Sequence, residues 1–145
     1  MQLQSQIFRQ LAFYRILFQK LCKLEWGQVL EIAKEFQVTI QQLTPDLYEE
    51  IRGIADGVGG EVGVLDIVAL NARSEIALGK FDDGCTSLAW TIHPASGGQS
   101  QAQRQILAQN WDWNLAVGKN LAMVSITKVG KPKIWMVIEV SLNDL

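Results

Sequence analysis

The spacing of apolar residues changes once along this chain, near Gly79, and that change constrains the fold more than any other feature. Before it, apolar residues recur every three or four positions, as they do on one face of an α-helix. After it, they come in short runs separated by turn-forming residues, which is typical of β-strands. Helices first and antiparallel strands afterwards predict an α+β fold in which the helices are layered on a sheet.

The element boundaries follow from the same patterns and from local helix and turn signals. Thr44 and Pro45 predict a helix start, with Thr44 as the N-cap, and the glycines between Gly57 and Gly63 predict its end. The other predicted helices cover residues 7–22, 26–36 and 64–76. The predicted strands are Thr86–Ile92, Ile106–Trp113, Leu121–Val129 and Ile134–Val140, with a Ser/Gly/Gln-rich loop over Pro94–Gln105 and a turn at Gly130-Lys131-Pro132.

The last predicted strand contains an apolar run, Ile134–Ile138, that does not alternate with polar residues. Such a strand is typical of a sheet that is covered on both faces. We therefore expect a single, partial domain that is cut short, with residues 1–84 forming a helical part and residues 85–145 the start of a β part.

The segment Asp83-Gly84-Cys85-Thr86, followed later by Asn110-Trp111-Asp112, suits one specific chemistry. Glycine after two aspartates favours a turn, and such a turn can hold the Gly84 carbonyl against the Cys85 thiol. Attack by sulfur would break the chain and leave Cys85 at a new N-terminus. The freed α-amine, with an ordinary pKa of about 7.7–8.0, could then serve as the base for the thiol.

The same residues also have a purely structural interpretation. A cysteine that follows a glycine turn is commonly a small buried apolar residue. Asp112 could be a turn residue at a strand end, and Trp111 a core aromatic. The residues alone leave both interpretations open.

Four segments, in this order, resemble the fungal isopenicillin N acyltransferases (acyl-coenzyme A:6-aminopenicillanic acid acyltransferases), which are N-terminal nucleophile hydrolases. These segments are Tyr48–Gly57, Asp66–Glu75, Asp83–Thr86 and Gln109–Asp112. The resemblance extends over residues 45–138. It implies an αββα fold, autocatalytic cleavage, and either acyl transfer from a coenzyme A thioester to an amine or hydrolysis of an amide.

The resemblance also implies roles for individual residues. Cys85 matches the nucleophile and Gly84 the residue before the cleaved bond, while Asp112 matches an aspartate that supports processing and activity. The remaining matches are supporting residues: Asn71, Arg73 and Glu75 in the helical part, and Asn110 beside Asp112.

The chain also departs from the family's pattern. It lacks the glycine-rich first segment with its His-Gly pair, and it lacks the long continuation beyond Val140 that carries an oxyanion-hole asparagine. Two alternatives therefore remain: a catalytically inactive, truncated paralogue that acts at most as an interaction partner, and an unrelated helix-plus-sheet binding domain. An uncovered sheet would favour self-association.

Composition limits which partners and cofactors we expect for this chain. A net charge of −2 gives no basic surface for nucleic acid or an anionic membrane. With one histidine, His93, and two cysteines in different surroundings, we expect no metal site and no disulfide. We expect no cofactor, and acyl-coenzyme A is a possible substrate. The expected partners are small-molecule acyl donors and amine acceptors. We expect a cytoplasmic location, since neither a secretory nor a peroxisomal signal is evident.

Overall fold

Helices come first along the chain and antiparallel strands follow, which confirms the predicted α+β class. The computed structural model describes residues 3–77, 84–93 and 104–139. The helices are α1 (Gln4–Leu17), a π-helical turn (Phe18–Cys22), α2 (Trp26–Leu43), α3 (Pro45–Val58), α4 (Val64–Asn71), α5 (Arg73–Ile76) and a 3₁₀ helix (Leu115–Asn120). The strands are β1 (Gly84–Ile92), β2 (Arg104–Asp112), β3 (Leu121–Ile126) and β4 (Ile134–Glu139).

These elements belong to two compact units. The larger unit holds the α-helices, the π-helical turn, the 3₁₀ helix and the β3–β4 hairpin, and the smaller unit is the β1–β2 hairpin. Each hairpin is an antiparallel sheet of two strands. No helix in the described part of the chain is long and apolar enough to cross a membrane.

The core of the larger unit is built mainly from apolar side chains of its helices. Its fully buried side chains, at most 1% exposed, include Ile7, Tyr14, Phe18, Val29, Ala33, Ile51, Ile67, Val68, Leu70 and Val117. Along α1 these positions recur every three or four residues, as the sequence predicted. Helices α2, α3 and α4 pack against one another, and α1 contacts the 3₁₀ helix.

Two helix boundaries differ from their predictions for identifiable reasons. Helix α2 continues seven residues past Phe36, because no glycine or proline interrupts it before Pro45. The predicted start of α3 is confirmed, with Thr44 as the N-cap residue and Pro45 as the first helical residue. The Thr44 hydroxyl does not cap α3, however, since it donates to the carbonyl of Ile40 at 3.1 Å. The predicted helix 64–76 is interrupted at Ala72, which separates α4 from α5.

Two turns and one capping contact shape the larger unit. Gly59, at φ 67°, ends α3 in a backbone conformation that favours glycine, as predicted. Gly130, at φ 72°, lies in the predicted β3–β4 turn. Helix α4 begins at Val64 because the Asp66 carboxylate accepts the Gly63 amide at 2.9 Å.

Some side chains of β4 are buried and others are exposed to solvent. Ile138 is buried, while Trp135 and Val137 are 64% and 54% exposed. Ile134 is also exposed, at 52%, whereas Glu139 is buried. Within the described residues, burial is thus confined to the C-terminal end of β4, and the predicted cover on both faces is present only there.

Candidate active site

The β1–β2 hairpin holds both predicted catalytic residues, Cys85 and Asp112. Strand β1 begins at Gly84, so Cys85 is its second residue, and β2 ends at Asp112. The antiparallel register pairs Gly84 with Asp112, Cys85 with Trp111, and Thr86 with Asn110. Residues 78–83 and 94–103, which include Asp83 and most of the predicted loop, lie outside the described residues.

This register assigns the site residues to two faces of the hairpin. Directly opposed residues in an antiparallel pair share a face, and successive residues alternate between faces. Asp112 therefore shares a face with Gly84, and a methyl group added at Gly84 would lie 3.9 Å from the Asp112 Cβ atom. The thiol of Cys85 shares the other face with Trp111. Asp112 thus lies beside the residue before the predicted cleavage bond.

The two cysteines differ in accessibility. Cys22 is 9% exposed, whereas Cys85 is exposed, and neither is in a disulfide. A nucleophilic thiol must reach its substrate, so exposure makes Cys85 the chemically available one.

The other predicted supporting residues belong to the larger unit. The side-chain amide of Asn71 donates to the carbonyl of Ile67 at 2.9 Å, within its own helix. Glu75 is exposed on α5. Arg73 is engaged in a buried polar network, which sequence reasoning did not predict.

The centre of this network is the carboxylate of Glu139 on β4, whose side chain is 3% exposed. It accepts from Arg73 Nη2 at 3.0 Å, from the Tyr14 hydroxyl at 2.9 Å, and from the side-chain amide of Gln10. Arg73 Nε also donates to the Tyr14 oxygen at 3.0 Å, and Nη1 to the Leu70 carbonyl at 2.8 Å. One carboxylate therefore joins α1, α5 and β4.

The network continues from Gln10 to the end of the 3₁₀ helix. Asn120 donates to the Gln10 side-chain oxygen at 2.6 Å, and its own oxygen accepts from Arg9 Nε at 3.1 Å. Gln10 and Asn120 are 0% and 2% exposed. Buried amides and carboxylates need such partners because desolvation without a hydrogen bond is costly.

Burial changes the acidity of two groups in this network. It raises the pKa of the Glu139 carboxyl above its ordinary value, although the charge of Arg73 and the hydrogen bonds from Tyr14 and Arg73 act in the opposite direction. It also raises the pKa of the Tyr14 phenol, so that the hydroxyl remains a donor. Desolvation therefore disfavours the charged form of Glu139, while the charge and hydrogen bonds of its partners favour that form.

A sequence signal for the network did exist. Gln10 occupies a position of the apolar stripe on α1, between Ile7 and Tyr14, where a polar residue must be satisfied inside the core. Glu139 directly follows the apolar run of β4. The pairing of these two residues was not readable, because 129 positions separate them.

The described residues contain no group of three or more His, Cys, Asp or Glu side chains placed to hold a metal ion. What the β1–β2 hairpin offers chemically is an accessible thiol, a carboxylate next to the preceding glycine, and an aromatic side chain opposite the thiol.

No protein-family model matches the chain. It is 32% identical over 118 residues to the 40 kDa form of the acyl-coenzyme A:6-aminopenicillanic-acid-acyltransferase of Emericella nidulans. The match covers 80% of this chain, and the chain spans about 30% of the length of that curated relative. The match leaves out too few residues at either end of the chain to miss Gly84–Asp112, so it includes the β1–β2 hairpin. The identity supports a relation to the isopenicillin N acyltransferases.

Proposed function

We propose that this chain is a member of the N-terminal nucleophile acyltransferases and amidohydrolases of the isopenicillin N acyltransferase type, with Cys85 as its nucleophile. The observation that carries the proposal is the 118-residue match to an acyltransferase over a stretch that contains the exposed Cys85. The hairpin register adds a carboxylate, Asp112, opposite the residue that precedes the thiol.

The first step is cleavage between Gly84 and Cys85. The Cys85 Sγ atom attacks the Gly84 carbonyl carbon, a C–S bond forms, and the peptide C–N bond breaks while the thiol proton passes to the departing amine. Water then adds to the thioester carbonyl, which leaves a carboxyl group on Gly84 and returns a proton to the sulfur. The products are residues 1–84 and residues 85–145, the proposed helical and β parts.

The second step uses the new N-terminus. The α-amine of Cys85, with an ordinary pKa of about 7.7–8.0, accepts the thiol proton as sulfur attacks the carbonyl carbon of an acyl-coenzyme A thioester or an amide. The bond from that carbon to the donor sulfur or nitrogen breaks, and coenzyme A leaves as a thiol, or the amide nitrogen as an amine, with the proton from the α-ammonium group. An amine or water then takes the acyl group and restores the thiol. Asp112 accepts a hydrogen bond from the α-amine and orients it, since this carboxylate lies beside Gly84, which is joined to that nitrogen before cleavage.

Arg73 and Asn71 support the site as structural residues in this proposal. Arg73 fixes α5 to Glu139 and Tyr14, and Asn71 closes the end of α4. Asn110 shares the Asp112 face at the neighbouring position of β2 and is proposed to assist it. The αββα architecture is likewise part of the proposal, supported by the observed order of helices and antiparallel strands.

The test is the intact mass of purified protein, compared with Cys85→Ala and with Cys22→Ala as a matched control. Fragments of residues 1–84 and 85–145, together one water heavier than the chain, should form in the parent and in Cys22→Ala. Cys85→Ala should remain one chain. A parent chain that stays uncleaved, or a Cys85→Ala chain that is cleaved, contradicts the proposal.

A second candidate function is non-catalytic association, in which an inactive chain binds a partner through its strands. Apolar side chains on both hairpins favour it: Trp90 is 61% exposed on β1, Leu107 is 83% exposed on β2 and Trp135 is 64% exposed on β4. Sedimentation analysis tests this function. An uncleaved chain that associates, and that no longer associates after Trp135→Ser or Trp90→Ser, would favour this function over catalysis.

A further inference from the structure

Positive charge is concentrated at the turn end of the β3–β4 hairpin, residues 128–135. Residues 121–138 contain three lysines, Lys128, Lys131 and Lys133, and neither aspartate nor glutamate. All three lysines are exposed to solvent. The net charge of −2 for the whole chain therefore averages a basic hairpin with a more acidic remainder.

Exposed apolar side chains accompany these lysines. Val129 in the turn is 100% exposed, and Ile134 and Trp135 at the start of β4 are 52% and 64% exposed. Trp135 shares one face of the hairpin with Met123 and Val137, which are directly opposed and are 72% and 54% exposed. A group of exposed apolar side chains of this kind is typical of an interaction surface.

The backbone and one side-chain contact hold charged and apolar groups together at the turn end. The Lys131 amide donates to the Lys128 carbonyl at 3.0 Å, and Gly130 between them has φ 72°, which is typical of a type II turn. Val129 therefore lies at the corner of a defined turn, with a lysine on either side. The Lys133 ammonium group lies 4.4 Å from the centre of the Trp135 ring, in a cation–π contact.

The opposite end of the hairpin is fixed in the core. Ile138 and Glu139 are 2% and 8% exposed, and Glu139 accepts from Arg73 and Tyr14. Exposure along β4 is thus low at this end and high towards the turn. The turn end is therefore the accessible part of an anchored hairpin.

The combination of lysines with aliphatic side chains favours a membrane surface over nucleic acid. Nucleic acid is bound through its phosphates and base edges, which leaves Val129 and Met123 without a role. At an anionic membrane both kinds of side chain are used, since apolar groups enter the boundary between head groups and acyl chains while lysines attract anionic lipids. Tryptophan is enriched at that boundary, and lysine stems can lie along it while their ammonium groups reach the head groups.

We infer that the turn end of the β3–β4 hairpin binds the surface of an anionic membrane. Val129 and Trp135 lie at the boundary between head groups and acyl chains, and Lys128, Lys131 and Lys133 contact anionic head groups. This binding requires neither the proposed cleavage nor catalysis, because the hairpin lies outside the proposed catalytic pair.

The test is flotation of the full chain with vesicles in a sucrose gradient. One set of vesicles holds phosphatidylcholine and phosphatidylserine in equal amounts, and the other holds phosphatidylcholine alone. The parent should float with the anionic vesicles and much less with the neutral ones, and added salt should weaken the binding. Each lysine near an anionic surface raises the affinity about fivefold, so the combined variant Lys128→Gln, Lys131→Gln and Lys133→Gln should lose about 100-fold.

A second variant tests the apolar contact. Val129→Asp replaces a side chain that is 100% exposed, so it leaves the core intact, and it should lower the affinity about tenfold. The matched control is the combined variant Lys20→Gln, Lys23→Gln and Lys34→Gln, which removes the same charge from exposed positions on the helical part of the same unit. The control should float as the parent does.

Several results would overturn the inference. These are a parent that does not float, a parent that floats equally with both kinds of vesicle, and an equal loss in the control variant. Parent protein that forms sedimenting aggregates and leaves the vesicles bare would instead indicate self-association. Binding of a labelled oligothymidylate without binding of vesicles, measured by fluorescence anisotropy, would assign the lysines to nucleic acid.

Discussion

Replacing Glu139 with leucine should destabilise the protein more than almost any other single polar substitution. The Glu139 side chain is 3% exposed and accepts from Arg73, Tyr14 and Gln10. Leucine fills a similar volume but accepts no hydrogen bond. All three donors would lose this acceptor inside the core.

The expected magnitude follows from the geometry. Removing one partner of a buried ion pair costs about 3–5 kcal/mol. Arg73 is 23% exposed in its side chain and still donates to the Leu70 carbonyl and the Tyr14 oxygen, so part of its charge remains solvated or bonded. We therefore expect the lower end of this range, a loss of about 3 kcal/mol in the free energy of unfolding. That loss is large beside the roughly 5–15 kcal/mol that hold a whole domain together.

The assay is urea unfolding monitored by circular dichroism, applied to Glu139→Leu, Arg73→Met and the double variant. The double variant should be clearly more stable than the sum of the single effects predicts, because it leaves no uncompensated charge. Arg52→Met is the matched control: its partner Glu49 lies on the surface at 2.9 Å, and its loss should not move the unfolding midpoint measurably.

Two results would contradict this prediction. One is a Glu139→Leu variant within about 1 kcal/mol of the parent, which is less than a lost buried pair should cost. The other is strict additivity of the two substitutions, which would mean that Arg73 and Glu139 are not coupled.

Three further predictions follow from other contacts. Burial raises the pKa of Glu139, so the folded state holds this proton to higher pH than the unfolded state. The stability that this protonation contributes is therefore complete below the ordinary pKa of 4.5 and is lost as the pH rises above that value. Urea titrations should therefore show stability falling more steeply with rising pH in the parent than in Glu139→Gln, and a reversed order would contradict the assignment. Asp66→Ala should lower stability by about 1–3 kcal/mol, because Asp66 accepts from Trp26 Nε1 at 2.8 Å and from the Gly63 amide at 2.9 Å; an unchanged melting temperature would argue against that cap. Asp112→Asn should slow self-cleavage about 10- to 100-fold without unfolding the hairpin, as followed by gel analysis of fresh protein, and a rate equal to that of the parent would remove Asp112 from the proposed mechanism.

The local elements were largely predictable because the signals that determine them are local. The apolar stripe from Ile7 to Cys22 predicted the first helical segment, and Gly59 and Gly130 lie where the sequence predicted a helix end and a turn. All four strands occur where they were predicted, to within a few residues at either end. Helical and strand periodicity act over a few neighbouring residues, so a single sequence carries them.

The relationships between distant residues were decided by the tertiary structure. A shift of one residue in the β1–β2 register would have placed Asp112 on the face of Cys85, and only the observed pairing puts it opposite Gly84 and puts Trp111 opposite the thiol. The contact of Gln10 with Glu139 likewise joins the first helix to the last strand. Local patterns in the chain were enough to predict the helices, the strands and the candidate nucleophile. Packing in three dimensions selects which side chains meet, because non-local contacts leave no periodic pattern in the chain.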